Sequence, residues 1–178
     1  MSDFPKLHNF NDMYTPPIAM QYIAQFLPKD KVYWECCYWL GHMYLELQKL
    51  WFNVVWDGDM DCLSDQPTFY DIIITNPPFN WNKKFLKRAI ELWKPFALLL
   101  RLEHIWWVDA MKLLSWLDFK IIIPEKRINY ITSKIMRWEG AGGSPFHSIR
   151  LTYWIDLPKQ INYVKCQSMN YEEHSRVV

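Results

Sequence analysis

Apolar positions along this chain follow two rhythms. Short, nearly continuous apolar runs predict strands at residues 31–36 (Val32-Tyr33-Trp34), 53–57 (Val54-Val55-Trp56), 71–75 (Ile72-Ile73-Ile74), 95–102 and 119–123. Residues 149–155 alternate and predict a late strand, and 127–132 could extend the pairing. Between these runs the spacing changes to that of helices. Pro16 and Pro17 open a helix over 18–27, with proline near the first turn. Met43, Leu47 and Leu50 mark one over 41–50. Phe85, Leu86, Ala89, Ile90 and Trp93 share a face over 82–93, and a further helix is expected over 104–117. The tail after Pro158 is polar, with frayed last residues.

Strands alternating with helices, several of them apolar throughout, predict a mostly parallel sheet covered on both faces. Ligands bind at the carboxyl ends of the strands in such sheets. The 178 residues suit a single domain, 1–178, without repeats or a low-complexity linker. Of five glycines, three fall in Gly140-Ala141-Gly142-Gly143, the best candidate for a mobile loop.

The run 71–75 ends in Asn76-Pro77-Pro78-Phe79. An amino group attached to an aromatic ring is a poor nucleophile, because its lone pair is delocalised. Two acceptors aimed at its hydrogens would localise that pair. The Asn76 side-chain carbonyl can be one and the Pro77 main-chain carbonyl the other. Consecutive prolines fix the backbone that aims them. Phe79 offers a ring on which a flat substrate can stack. Attack on a sulfonium methyl then needs mainly positioning. The alternative is a proline-stiffened turn after a buried strand.

Composition changes this picture little. A formal net charge of +1 gives no global basic field, so nucleic-acid binding would rest on local patches. Lys83, Lys84, Lys87 and Arg88 share faces one helical turn apart, as phosphate contacts or as a solvated surface. Lys126, Arg127, Lys134 and Arg137 surround the glycine-rich stretch, near Trp138. Trp81 could wall a base pocket or belong to the core. Eleven Trp, ten Tyr and ten Phe exceed what a small core needs, so some should line a site. Cys36, Cys37, Cys62 and Cys166 show no C-x-x-C spacing and the histidines are scattered, so reduced thiols and no metal site are expected. No apolar run approaches the ~20 residues of a membrane span. The N-terminus lacks a signal pattern, so a cytoplasmic protein (host cytoplasm if viral) with no membrane partner is expected.

Taken together, these residues resemble the S-adenosylmethionine-dependent amino-methyltransferases, most of all small phage- or virus-type adenine-N6 DNA methyltransferases. The resemblance spans roughly residues 14–155. It implies a Rossmann-like class I methyltransferase fold, α/β, with a late antiparallel strand. It implies Asn76, Pro77, Pro78 and Phe79 as the catalytic motif and S-adenosylmethionine as cofactor. Tyr14-Thr15-Pro16-Pro17 resembles the segment packed over the cofactor. Glu35 stands where the cofactor loop begins, Asp57 where a carboxylate takes the ribose hydroxyls, and Asp61-Cys62-Leu63 where the cofactor's adenine is met. The family loop carries two close glycines. Here only Gly41 remains, with Trp39 and Leu40 in the preceding positions. Residues 58–70 are too few for a full strand–helix crossover, so an edge strand is expected to be missing.

The implied activity is methyl transfer to the 6-amino group of adenine in DNA, with the base flipped out of any duplex. Trp81, Lys83, Lys84, Arg127, Lys134 and Arg137 are the candidate nucleic-acid contacts. Residues 124–148 are a short candidate target-recognition region, which implies weak sequence selectivity, a homodimer or single-stranded substrate. RNA adenine or a protein glutamine amide would suit the same chemistry. A catalytically impaired nucleic-acid-binding module is the reading from another class, motivated by Trp39 and Leu40.

Overall fold

The computed structural model describes residues 15–37, 41–56, 61–130, 144 and 146–165. It holds seven strands: β1 (Val32–Trp34), β2 (Asn53–Val55), β3 (Ile72–Thr75), β4 (Phe96–Arg101), β5 (Phe119–Pro124), β6 (Ser148–Tyr153) and β7 (Ile161–Val164). The helices are α1 (Ile18–Ala24), α2 (His42–Lys49), α3 (Asn82–Glu91) and α4 (Val108–Leu114). All strands join one sheet in the order β2-β1-β3-β4-β6-β5-β7. The pairs β1/β2, β1/β3, β3/β4 and β5/β7 are parallel, and β6 runs antiparallel to both its neighbours. The expected mostly parallel sheet with a late antiparallel strand is what forms.

Side-chain alternation sorts the core onto the two faces. Ile72, Ile74, Ala97 and Leu99 pack with Ala19, Ile23, Met43 and Leu47 of α1 and α2. Ile73, Phe96, Leu98 and Leu100 pack with Leu86, Ala89, Ile90, Ala110 and Leu114 of α3 and α4. The strands are apolar throughout because both their faces are covered. β2 is an edge strand, and residues 61–70 between it and β3 contain neither helix nor strand, as the short spacing implied.

Four expectations change. The helix expected over 104–117 splits into a 3₁₀ segment, Leu102–Trp106, and α4, because Trp107 is extended at φ −65°, ψ 139°. Residues 127–130 form no strand; Ile128 and Tyr130 are instead buried as core side chains. The late strand is Ser148–Tyr153, buried at every position rather than alternating, because it lies inside the sheet. The polar tail carries a further strand, β7, at the sheet's edge. Among the described residues, no helix is long and apolar enough to cross a membrane.

Glycine scarcity shows at the helix ends. α2 closes with Trp51 N–H on Gln48 O (2.9 Å) and Phe52 N–H on Leu47 O (3.0 Å). This is the Schellman pattern, which places a left-handed residue where glycine is usual. Here Trp51 takes it, at φ 61°, and Trp93 does the same after α3, at φ 52°.

Candidate active site

Because β1, β2, β3 and β4 are parallel, their carboxyl ends share one edge of the sheet. Glu35, Asn76 and Arg101 lie along it. Asn76 follows β3, and its side-chain amide donates to Thr15 Oγ1 at 2.8 Å. That bond ties the segment before α1 to the tetrapeptide and fixes the amide's orientation. Asn76 Oδ1 is left buried with no hydrogen-bond partner. A buried acceptor without a partner costs about 1–3 kcal/mol, so such an atom calls for a donor. Pro77 is buried and Pro78 is half-buried, at φ −53°, ψ 128°, after which Phe79–Trp81 form a 3₁₀ turn leading into α3.

Phe79 is partly buried. Its ring meets Phe146 (centroids 4.9 Å, 72°) and Tyr130 (5.5 Å, 86°) nearly edge-on. The Arg101 guanidinium lies over it at 4.6 Å, and over Phe146 at 4.0 Å. The ring is therefore partly committed to packing, and a stacking base would share it with a cation. Nothing local in the sequence marks a strand-ending arginine as lying over two rings, so Arg101 is not among the predicted site residues.

Glu35 is buried directly after β1. Its Oε1 accepts the Thr75 hydroxyl at 2.7 Å and the Cys37 N–H at 2.8 Å, while Oε2 is buried without a partner. Burial drives its carboxyl up to about 7, against the opposing pull of those two hydrogen bonds and of Arg150. Arg150, on β6 and fully buried, donates to the carbonyls of Thr75 (3.0 Å), Ala97 (3.2 Å) and Ala19 (3.3 Å). It knits β3, β4 and α1 together beneath the site.

Gly41 begins α2 in the left-handed conformation, φ 73°, ψ 10°. A side chain there would carry a penalty of roughly 1–2 kcal/mol. Asp61 is exposed, and its carboxylate accepts the Leu63 N–H at 3.0 Å, closing its own turn. Pro16 is buried, and its carbonyl accepts the Ala19 N–H as α1 begins. Tyr14, Asp57, Lys134 and Arg137 lie outside the described residues.

The basic residues of α3 are mostly engaged within the protein. Lys83 pairs with Asp109 and Lys87 with Glu91. Arg88 donates to the carbonyls of Ser64 and Asp65 (both 3.2 Å), clasping the 61–65 turn. Lys84 lies over the exposed Trp81 ring at 5.1 Å. Arg127 is exposed and donates to Ser144 O at 3.4 Å.

No protein-family model matches the sequence, and no curated protein matches it. Solved structures do. A Listeria monocytogenes protein classed among the class I S-adenosylmethionine-dependent methyltransferases matches with a TM-score of 0.51 at 12% identity, over 97% of this chain and 72% of that one. This chain has the class I methyltransferase fold. A dimethyladenosine transferase from Plasmodium falciparum also matches, with a TM-score of 0.48 at 11% identity, over 81% of this chain. The chain spans 63% of that protein's length. Within the class I methyltransferase fold, Glu35 and Asn76 occupy the edge at which the parallel strands end.

Proposed function

We propose that this chain transfers a methyl group from S-adenosylmethionine to the exocyclic 6-amino group of adenine in DNA. The observation that carries the reading is the unpartnered Asn76 Oδ1 beside a double proline at the carboxyl end of β3. The Thr15 bond holds the amide nitrogen, so the carbonyl is the end left for a donor. One substrate N–H donates to Asn76 Oδ1 and the other to the Pro77 carbonyl. Both bonds strengthen as the nitrogen becomes tetrahedral, which favours the transition state over the ground state. The proton leaves afterwards, since the product ammonium is acidic. Phe79 and Arg101 each offer a flat group on which the base can stack.

Fitness for the cofactor rests on two features. Gly41 supplies a turn that a Cβ would hinder, and Glu35 keeps a buried carboxylate oxygen without a partner. Thr15, Pro16, Glu35, Gly41 and Asp61 would hold it, and the family resemblance adds Tyr14 and Asp57 to that set. When bound, S-adenosylmethionine supplies an electrophilic methyl on a sulfonium. A nucleic acid is favoured over a glutamine amide by the pairing of Lys84 with Trp81, and DNA over RNA by the small size of the chain and the order of the motifs.

The decisive experiment incubates the full chain with isotope-labelled cofactor and either DNA or RNA, then digests and weighs the nucleosides. Label in N6-methyladenine from DNA is expected. Label confined to RNA redirects the substrate. No label in either, with cofactor binding demonstrated by calorimetry, overturns the reading.

A further inference from the structure

Three cysteines with no metal-ligand spacing in sequence converge in space. The Sγ atoms of Cys36, Cys37 and Cys62 all lie within 4.8 Å of one another. Cys37 and Cys62, from the segments that follow β1 and β2, are 3.9 Å apart. We propose that Cys36, Cys37 and Cys62 form a three-thiolate site for a thiophilic metal ion, zinc(II), joining the loop after β1 to the loop before β3.

The spacing suits that ion. Zinc–sulfur bonds of about 2.3 Å in a tetrahedron set sulfurs about 3.8 Å apart. A disulfide would use two of the sulfurs and leave the third without a role, whereas a metal uses all three. The fourth position falls to a water oxygen. As each sulfur–zinc bond forms, its thiol proton passes to solvent.

The fold gives such an ion a purpose. Residues 61–70 contain no helix or strand, and the Arg88 clasp and the Asp61 turn hold their first half. A cross-link from Cys62 to the chain after β1 would fix this segment against the sheet edge. The inference does not depend on methyl transfer.

The test uses the reduced full-length chain, zinc(II), and cobalt(II) as a spectroscopic substitute. Stoichiometric binding is expected, with thiolate-to-cobalt charge-transfer absorption and a higher Tm in zinc. Cys62→Ser should lower the charge-transfer intensity by about a third. It should weaken zinc by more than the roughly 10–100-fold that loss of a supporting partner costs. Circular dichroism establishes that Cys62→Ser is folded, and Cys36→Ser serves if it is not. Two outcomes overturn the site: zinc affinity and Tm unaffected by all three cluster substitutions, or a Cys37–Cys62 disulfide on removal of reductant with no zinc uptake by the reduced protein.

Discussion

The Asn76 amide is anchored to the Thr15 hydroxyl at 2.8 Å, so one end of the side chain is fixed by protein and the other is buried without a hydrogen-bond partner. The two groups are 61 residues apart in sequence. Their union makes the orientation of the Asn76 carbonyl a property of the fold. Asn76→Ala should therefore lower the methyl-transfer rate by at least ~10²-fold, as loss of a transition-state hydrogen-bonding group does. Its Tm and cofactor affinity should stay near those of the parent. Thr15→Val should lower the rate about tenfold or less, because it frees the amide without removing the carbonyl. Single-turnover kinetics on both variants check this ranking, and equal rates for Asn76→Ala and parent would refute the assignment.

Phe79 serves packing and stacking at once. Phe79→Ala should raise KM for the nucleic acid more than Kd for the cofactor. It should also lower Tm, since Phe146, Tyr130 and Arg101 lose a ring partner. An unchanged KM with a lowered Tm would assign the ring to packing alone.

Left-handed positions predict a pair of opposite effects. Gly41→Ala should destabilise by roughly 1–2 kcal/mol. Trp51→Gly should relieve the same conformation at a highly exposed residue and stabilise by up to about 1 kcal/mol, less the extra entropy that glycine gives the unfolded chain. Urea titrations of the two variants give the signs directly.

His104 predicts a pH effect. Burial, and then the Arg101 charge, hold its pKa below the usual histidine range, with Glu103 opposing. Its Nδ1 meets the Asn82 side-chain amide, which suits a neutral ring accepting there. A depressed histidine favours the folded state above its unfolded pKa, and this contribution disappears as pH falls through the lower folded value. The His104 contribution should thus be lost on acidification below about 6.5, against the gain that the raised Glu35 carboxyl gives as it protonates. Relative to the parent, His104→Gln should therefore gain stability as pH falls, as paired thermal melts across that range would show.

Arg150 predicts a stability effect without a chemical role. Arg150→Met keeps apolar bulk but strips donors from the carbonyls of Thr75, Ala97 and Ala19. The loss should be on the order of 3 kcal/mol, read as a lower urea midpoint. A midpoint unchanged by the substitution would show that these carbonyls are satisfied without the guanidinium.

Local signals carried much of the architecture. Ile72-Ile73-Ile74 and Phe96 to Leu100 read as buried strands because no polar residue interrupts them, and the proline pair after Thr75 marks the strand end. β7 was hidden because Ile161–Val164 is short, with alternate residues exposed, in a polar setting. The break at Trp107 was hidden because no proline or glycine announces it. Nothing local could announce Arg101 over the Phe79 and Phe146 rings, Arg150 under the sheet or the meeting of Cys36, Cys37 and Cys62. Each depends on strands far apart in sequence lying side by side. The lysines of α3 carried the opposite lesson: their helical spacing was legible, but not that Asp109 and Glu91 would engage two of them.

The position of β6 bears on how the molecule comes into being. It is inserted between β4 and β5 although it is synthesised after both. While a nascent chain still lacks Ser148–Tyr153, β4 and β5 each present an open, sticky border, and the carbonyls meant for Arg150 wait without their donor. Productive assembly is thus a late event, and ribosome stalling before Ser148 should leave a species prone to self-association.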